Sequence, residues 1–319
     1  MDDKILNVMT VTLEALPPEM KSAILYAIID LASLTAVVHA SPSFHALYLS
    51  QRKQLLSTVL EKCLQLPVMV DAVAALIALR GREERCKAPK PALEAADEFL
   101  SKYIPLRSIL NPPYSYSAYA YLDQEVNVYQ VFASLTEEDL IEMARLHIIV
   151  EFILQDMVHS FLELRPDTQR PKEENVTLSP PETFRMQRAL YRLEIHRLLF
   201  STRGLPWFEE QDRLSDVYVN SDDQWNLFLS LFTPWEMEEI RCAAMYIFRV
   251  YEEMPGATQF DDCITCREER LLKQDTLRGT LNRAVSFIVD ALETNPQYEY
   301  IWDFGDEGTD GKTFVSDAD

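Results

Sequence analysis

Between Leu13 and Leu64 apolar side chains recur at helical intervals and are interrupted twice by short breaks, at Asp30 to Ser33 and at the proline-bearing Ser41 to Ser43. Met20, Ile24, Ile28 and Leu31 share one face of a 3.6-residue period. Ahead of them Leu16-Pro17-Pro18-Glu19 reads as a helix start, because proline pre-sets φ and lacks an N–H that the first turn cannot pair. Asp30 and Ser33 mark a break and a fresh cap, after which Leu34, Val37 and Val38 continue an apolar face. Ser41-Pro42-Ser43 ends that second helix, since the residue before a proline is pushed out of the helical region. Phe44, Tyr48, Leu55 and Val59 then describe a third helix with Gln51, Arg52 and Lys53 turned outward.

Further on, Val68 to Leu79 is nearly all apolar and of helical length, and so is expected in the core. Gly81 to Pro91 is charged and proline-flanked, the place where a connector or domain boundary is expected. Pro91 opens another helix, and Asn111-Pro112-Pro113 breaks the pattern. Tyr114, Tyr116, Tyr119 and Tyr121 then crowd one window. Two readings of them stand: a groove wall with polar tips that binds a client, or packing at a loop-to-helix junction. Thr136-Glu137-Glu138-Asp139 is a capping signal for a long helix to about residue 164, with Leu140, Met143, His147, Val150 and Met157 on its apolar side. Residues 165–179 read as a surface loop. Ser179-Pro180-Pro181-Glu182 is a capping box for a helix carrying Phe184, Gln187, Tyr191 and Ile195, and Thr233-Pro234-Trp235-Glu236 repeats the device for a helix to about Met254. A last helix is expected over residues 267–292, with Leu271, Leu277, Leu281 and Val285 inward.

Composition narrows the class. The chain has 319 residues but only 7 glycines, three of them (Gly305, Gly308, Gly311) close to the C-terminus. So few are left for the body that a turn-rich β-sandwich or a phosphate-cradling loop is disfavoured, and an all-α fold is expected. A net charge of −21 repels nucleic-acid phosphate and anionic lipid, which argues against nucleic-acid or membrane partners. No apolar run approaches the roughly 20 residues that span a bilayer, and the N-terminus lacks the basic start and apolar core of a signal peptide. Cysteines are 5 in number and unevenly placed, as in reduced intracellular proteins. A cytoplasmic or nuclear location is expected. Beyond Tyr300 the chain is acidic and glycine-bearing, with Trp302 and Phe304 its main apolar residues, and is expected to be disordered.

The N-terminal order of Leu-Pro-x-Glu, Ile-Leu, a break, Ser-Leu, an Ala-Ser-Pro stop and a Phe-x-x-x-Tyr helix resembles the F-box. It is most similar to the F-box of fungal proteins, in which Ala-Ser-Pro-x-Phe stands at this place. Two later stretches, Phe184 to His196 (Phe-Arg-x-Gln-Arg-Ala at its head) and Phe232 to Ile240 (Phe-x-Pro-Trp-Glu), look like segments that follow the F-box in a large group of fungal F-box-like proteins with all-helical bodies. The resemblance implies a docking module that binds the Skp-type adaptor of a cullin–RING ubiquitin ligase. By match to the motif, Leu16, Pro17, Ile24, Leu25, Leu34 and Val37 would make or support that contact. It also implies a body that presents a client protein to the ligase, raising the effective concentration of the client's lysines. The chain departs from the pattern at Ile28-Ile29-Asp30-Leu31, which implies a different first inter-helix turn.

The organisation expected is a docking module over residues 10–64, a helical body over 65–302 and an acidic tail over 303–319. Candidate chemistry adds little to this. Cys263 and Cys266 have the spacing of half a zinc site, but no histidine follows them in sequence. The 5 histidines (His39, His45, His147, His159, His196) fall in no metal or nucleophile frame, and no phosphate loop or nucleophile elbow occurs. No catalytic residue, metal or cofactor is therefore assigned. Two other readings stay open: a helical interaction or scaffold protein that never meets a cullin, and an enzyme without a recognisable motif. An exposed apolar patch of Leu16, Pro17, Leu34 and Val37 favours docking, and burial of the same residues favours the scaffold.

Overall fold

Most of the helices start where prolines and polar caps put them. The computed structural model describes residues 13–88, 90–108, 110, 127–162, 178–200, 219 and 221–253, and every regular element among them is helical. A 3-10 turn at Leu13–Ala15 leads into α1 (Pro18–Ala27), α2 (Leu31–Ala40), α3 (Pro42–Cys63), α4 (Leu66–Lys87) and α5 (Ala92–Ser108). There follow α6 (Val128–Ala133), α7 (Glu137–Leu162), α8 (Pro180–Phe200), α9 (Ser221–Leu227) and α10 (Pro234–Glu253). The fold is all-α. Among the described residues no helix is long and apolar enough to cross a membrane.

The caps are those anticipated from the sequence. The Asp30 side chain accepts from the Ser33 N–H (2.7 Å) and starts α2, and Ser41 accepts from the Phe44 N–H (3.3 Å) and starts α3. Three capping boxes satisfy first-turn donors reciprocally or through the acid. Thr136 Oγ1 accepts from the Asp139 N–H (3.2 Å) while Asp139 accepts from the Thr136 N–H (3.0 Å). Glu182 accepts from the Ser179 N–H (2.8 Å), and Glu236 from the Thr233 N–H (3.0 Å). Helix α3 bends at Gln51, whose φ of −127° and ψ of 16° leave the helical region. One residue earlier the Ser50 hydroxyl takes the Leu47 carbonyl (2.7 Å), the kind of side-chain competition that bends helices.

At the centre lies α4, buried at every residue from Val68 to Leu76. A helix apolar on all sides is surrounded, and α4 packs on α8 above all, with α5, α6 and α7 around it. Helix α10 closes over α8, while α1 and α2 pack on α3 and the trio meets the body chiefly through α3 and α7.

Two expectations are corrected. Met20, Ile24, Ile28 and Leu31 do not share one helix, because α1 ends at Ala27, Ile28 is extended and Leu31 opens α2 under the Asp30 cap. Gly81 to Lys87 is not a connector but the last two turns of α4. Two arginines explain it: Arg85 Nη1 donates to the Leu199 carbonyl (2.8 Å) and Arg82 Nη1 to the Leu198 carbonyl (3.5 Å), both at the end of α8. Cations at a helix C-terminus satisfy orphan carbonyls and complement the dipole, and this offsets the helix cost of Gly81. The Tyr114–Tyr121 window, most of the 165–179 loop, the helix expected over 267–292, Cys263, Cys266 and the acidic tail lie outside the described residues.

Replacing Thr136 with alanine removes the α7 cap and is expected to lower unfolding free energy by about 1 kcal/mol, read from the urea midpoint at unchanged slope.

Candidate functional site

The N-terminal trio is held together by a polar network as well as by its core. Lys21, buried on α1, donates to the Glu14 carbonyl (2.8 Å) and to Ser43 Oγ (2.9 Å), and the Glu14 carboxylate accepts from the Ser41 hydroxyl. These bonds fasten the 3-10 turn to the start of α3 and so place Leu16 and Pro17. At the other end of α1, Lys62 of α3 donates to the carbonyls of Tyr26 (2.6 Å) and Ile28 (2.9 Å). The departure from the motif at Ile28–Leu31 takes the form of an extended link, with Ile28 and Asp30 both in the β region.

The residues singled out in this module divide by exposure. Leu25 and Leu34 are fully buried in the core. Leu16, Ile24 and Val37 are half-buried, and Pro17 is exposed. The outer side of α1 carries large apolar groups that the motif did not name: Met20 is 54% exposed and, flanking the helix, Leu13 is 63% and Ile29 68% exposed. With Pro17, Ala23 and Ala27 also exposed and Ile24 at its edge, α1 presents an apolar strip to solvent. The test patch is thus split: Pro17 is open, Leu16 and Val37 partly so, and Leu34 closed. Periodicity separates apolar from polar faces, but it does not say which of two apolar flanks of α1 faces inward.

Inside the body sits a charge cluster that sequence reasoning missed. Asp71 of α4 is 0% exposed; its Oδ1 accepts from the Tyr103 hydroxyl (2.8 Å) and its Oδ2 from Arg188 Nε (3.2 Å) and Arg192 Nε (3.0 Å). Glu236 of α10 accepts from Arg188 Nη2 (3.1 Å) and Arg192 Nη2 (2.8 Å) at Oε1, and from Arg107 Nη2 (2.7 Å) at Oε2. Arg107 and Arg192 also lie over the Phe232 ring, 5.0 and 4.7 Å from its centre. The two later stretches that carry the family resemblance therefore meet in space, through Arg188, Arg192 and Glu236. One signal was available: Asp71 is the lone charge between Leu66 and Leu79.

The field in this cluster is strong. Burial alone would raise the Glu236 carboxyl, but Arg192, Arg107, the Thr233 N–H and Arg188 outweigh it and hold the group down at about 2. Burial pulls the Arg192 guanidinium down, but Asp71, Tyr103 and Glu236 outweigh it and hold the group above its ordinary value.

A second polar group lies where α7 meets α8. His147 Nδ1 is 3.0 Å from the Tyr191 hydroxyl, and Gln187 bonds the Glu151 carboxylate. Burial lowers His147 from 6.5 to about 4, so it is neutral at physiological pH, and burial raises the Glu151 carboxyl against the pull of Gln187. Cys63, half-buried on α3, is pushed up to about 11 by burial and is a poor nucleophile at neutral pH. Among the described residues no three His, Cys, Asp or Glu side chains are grouped to hold a metal ion.

Comparison with protein-family models, with curated proteins and with solved structures finds no significant match in any of the three.

Asp71→Asn leaves Arg188 and Arg192 short of a buried anion and is expected to cost about 3–5 kcal/mol of stability. Arg241→Ala, which breaks an exposed pair with Glu238 (3.4 Å), is expected to stay within about 0.5 kcal/mol in the same urea titration.

Stability is also expected to fall in two steps on acidification. Between 6.5 and about 4 the unfolded chain binds a proton at His147 that the folded chain refuses, and His147→Gln flattens that step. Between 4.5 and about 2 the unfolded chain protonates Glu236 first, and Glu236→Gln flattens the lower step.

Proposed function

We propose that this chain is a substrate-recognition subunit of a Skp–cullin–F-box type ubiquitin ligase, with the N-terminal trio binding the adaptor and the helical body binding a client protein. The observation that carries the reading is the apolar outer side of α1, with Pro17, Met20, Leu13 and Ile29 open to solvent while Leu25 and Leu34 hold the trio together. Exposed apolar groups gathered on one small helical module are what a docking surface requires. A second feature supports the same reading. Arg52 of α3 binds Glu137 of α7 (Nε to Oε1, 2.6 Å), and α3 packs along α7, so the trio and the body are joined by side-chain contacts as well as by the chain. A receptor that positions a client relative to a transfer enzyme needs such a fixed relation between its two ends.

The alternative is a helical interaction protein that does not engage a cullin. It draws on the burial of Leu34 and on the packing of the trio against α7.

Retention of the purified Skp-type adaptor by the full chain separates the two. Wild type is expected to retain it, and a Pro17→Ala/Met20→Asp variant to bind at least tenfold more weakly, since a buried apolar anchor contributes roughly 1.5–3 kcal/mol. Both sites are exposed, so the variant keeps its helical circular dichroism. Failure of the folded wild type to retain the adaptor removes the ligase reading and leaves the interaction protein.

A further inference from the structure

A cavity of about 620 Å³ lies between the C-terminal half of α4 and α5, and Leu135 ahead of α7 with Leu198 and Leu199 at the end of α8 completes its wall. Interiors pack with few voids larger than a water molecule, and small-molecule sites occupy roughly 300–1,000 Å³, so this space is of ligand size. Leu76, Phe99 and Leu199 are buried and seal it toward the core. Ile77, Ala95 and Leu135 are only half-buried, so each still has apolar surface to give a ligand.

The walls are fastened to one another around this space. Arg80 of α4 binds Asp139 of α7 (3.0 Å), and Arg85 Nη1 of α4 donates to the Leu199 carbonyl of α8 (2.8 Å). Lys90, just before α5, binds Glu94 (3.5 Å) and Glu98, and Lys102 reaches the same Glu98 (3.3 Å). These pairs also decide what the space accepts. The carboxylates of Glu94, Glu98 and Asp139 are already matched by cations, and the other acid on this wall, Glu84, is exposed and keeps its water. A charged group that entered would shed its hydration and gain a partner only by breaking an existing pair, which costs more than it returns. An apolar body meets no such cost and gains by covering Ile77, Ala95 and Leu135.

Gly81 points the same way. Glycine inside a helix is destabilising, yet a Cβ built at this position meets nothing within 4 Å, so no close packing calls for it. What the missing side chain does is leave this wall of the cavity open. We propose that the cavity binds an uncharged, largely apolar small molecule, held against Ile77, Ala95 and Leu135. It uses no residue of the N-terminal trio, so it stands or falls separately from the ligase reading.

The test titrates the full chain with N-phenyl-1-naphthylamine, a neutral dye whose emission rises in apolar surroundings, and with its sulfonated form, 1-anilinonaphthalene-8-sulfonate. One saturable site is expected for the neutral dye, with the sulfonate at least tenfold weaker. Saturating neutral dye is expected to raise the thermal midpoint, as a ligand of the folded state does. Gly81→Leu on α4, and independently Ala95→Leu on α5, fill the space with a residue that suits a helix. Each is expected to stay folded and to weaken the neutral dye at least tenfold, whereas Trp235→Ala, at an exposed apolar side chain far along the chain, leaves binding unchanged. Sulfonate binding as tight as that of the neutral dye overturns the proposal, as does undiminished binding to a folded Gly81→Leu or Ala95→Leu protein. Loss of binding in Trp235→Ala assigns the dye to exposed surface and overturns it too, and so does absence of saturable binding to wild type.

Discussion

Two carboxylates inside the body, Asp71 and Glu236, are matched by three arginines brought to them from α5 and α8. Removing a carboxylate from water costs several kcal/mol, and a matched, hydrogen-bonded cation offsets that cost without adding much net stability. The consequence is geometric. Arg188 and Arg192 are one turn apart on α8 and each bridges Asp71 of α4 to Glu236 of α10. A slip of α8 by one residue turns both side chains by about 100° and strands the charges. Apolar packing on a helix as uniformly greasy as α4 tolerates several rotations, whereas this cluster tolerates one. We read it as the element that sets the register of α4, α5, α8 and α10.

The same economy recurs at helix starts. Asp139 caps α7 through Thr136 and also binds Arg80 of α4 at 3.0 Å. Glu236 caps α10 through Thr233 and also binds Arg107, Arg188 and Arg192. In both, an acid placed for a local reason, the orphan N–H groups and positive dipole of a first turn, serves as the anion for a cation from another helix. Local stop signals thereby become long-range positional constraints, and the first turn of α7 is where α3 and α4 are both tied, through Arg52 to Glu137 and Arg80 to Asp139.

This divides what the sequence disclosed from what it withheld. Proline and the Ser, Thr and Asp caps act within four residues, so the starts of α1, α2, α3, α7, α8 and α10 were readable one by one. Helices α6 and α9 have 6 and 7 residues, too few to show a period, and were not anticipated. The end of α4 was misplaced because Gly81 and a run of charges mimic a connector; what keeps it helical is Arg82 and Arg85 reaching carbonyls more than 110 residues away. The charge cluster was hidden for the same reason. Its partners are 32 to 129 residues apart, and only the isolation of Asp71 in an apolar run hinted at it.

The trio shows a subtler limit of pattern reading. Its motif residues were assigned a partner, yet Leu25 and Leu34 are the side chains that build the module's own core. A short helical motif is constrained most at the positions that let three small helices pack, because a module of this size has little other apolar area to bury. Side chains that touch a partner need only be apolar and outward, a looser demand that leaves a weaker mark in the sequence. Pro17 meets both demands: it starts α1, where its missing N–H costs nothing, and it remains exposed at the rim of the apolar strip. Met20 and Ile29 meet only the second, so they become legible once burial has been assigned residue by residue.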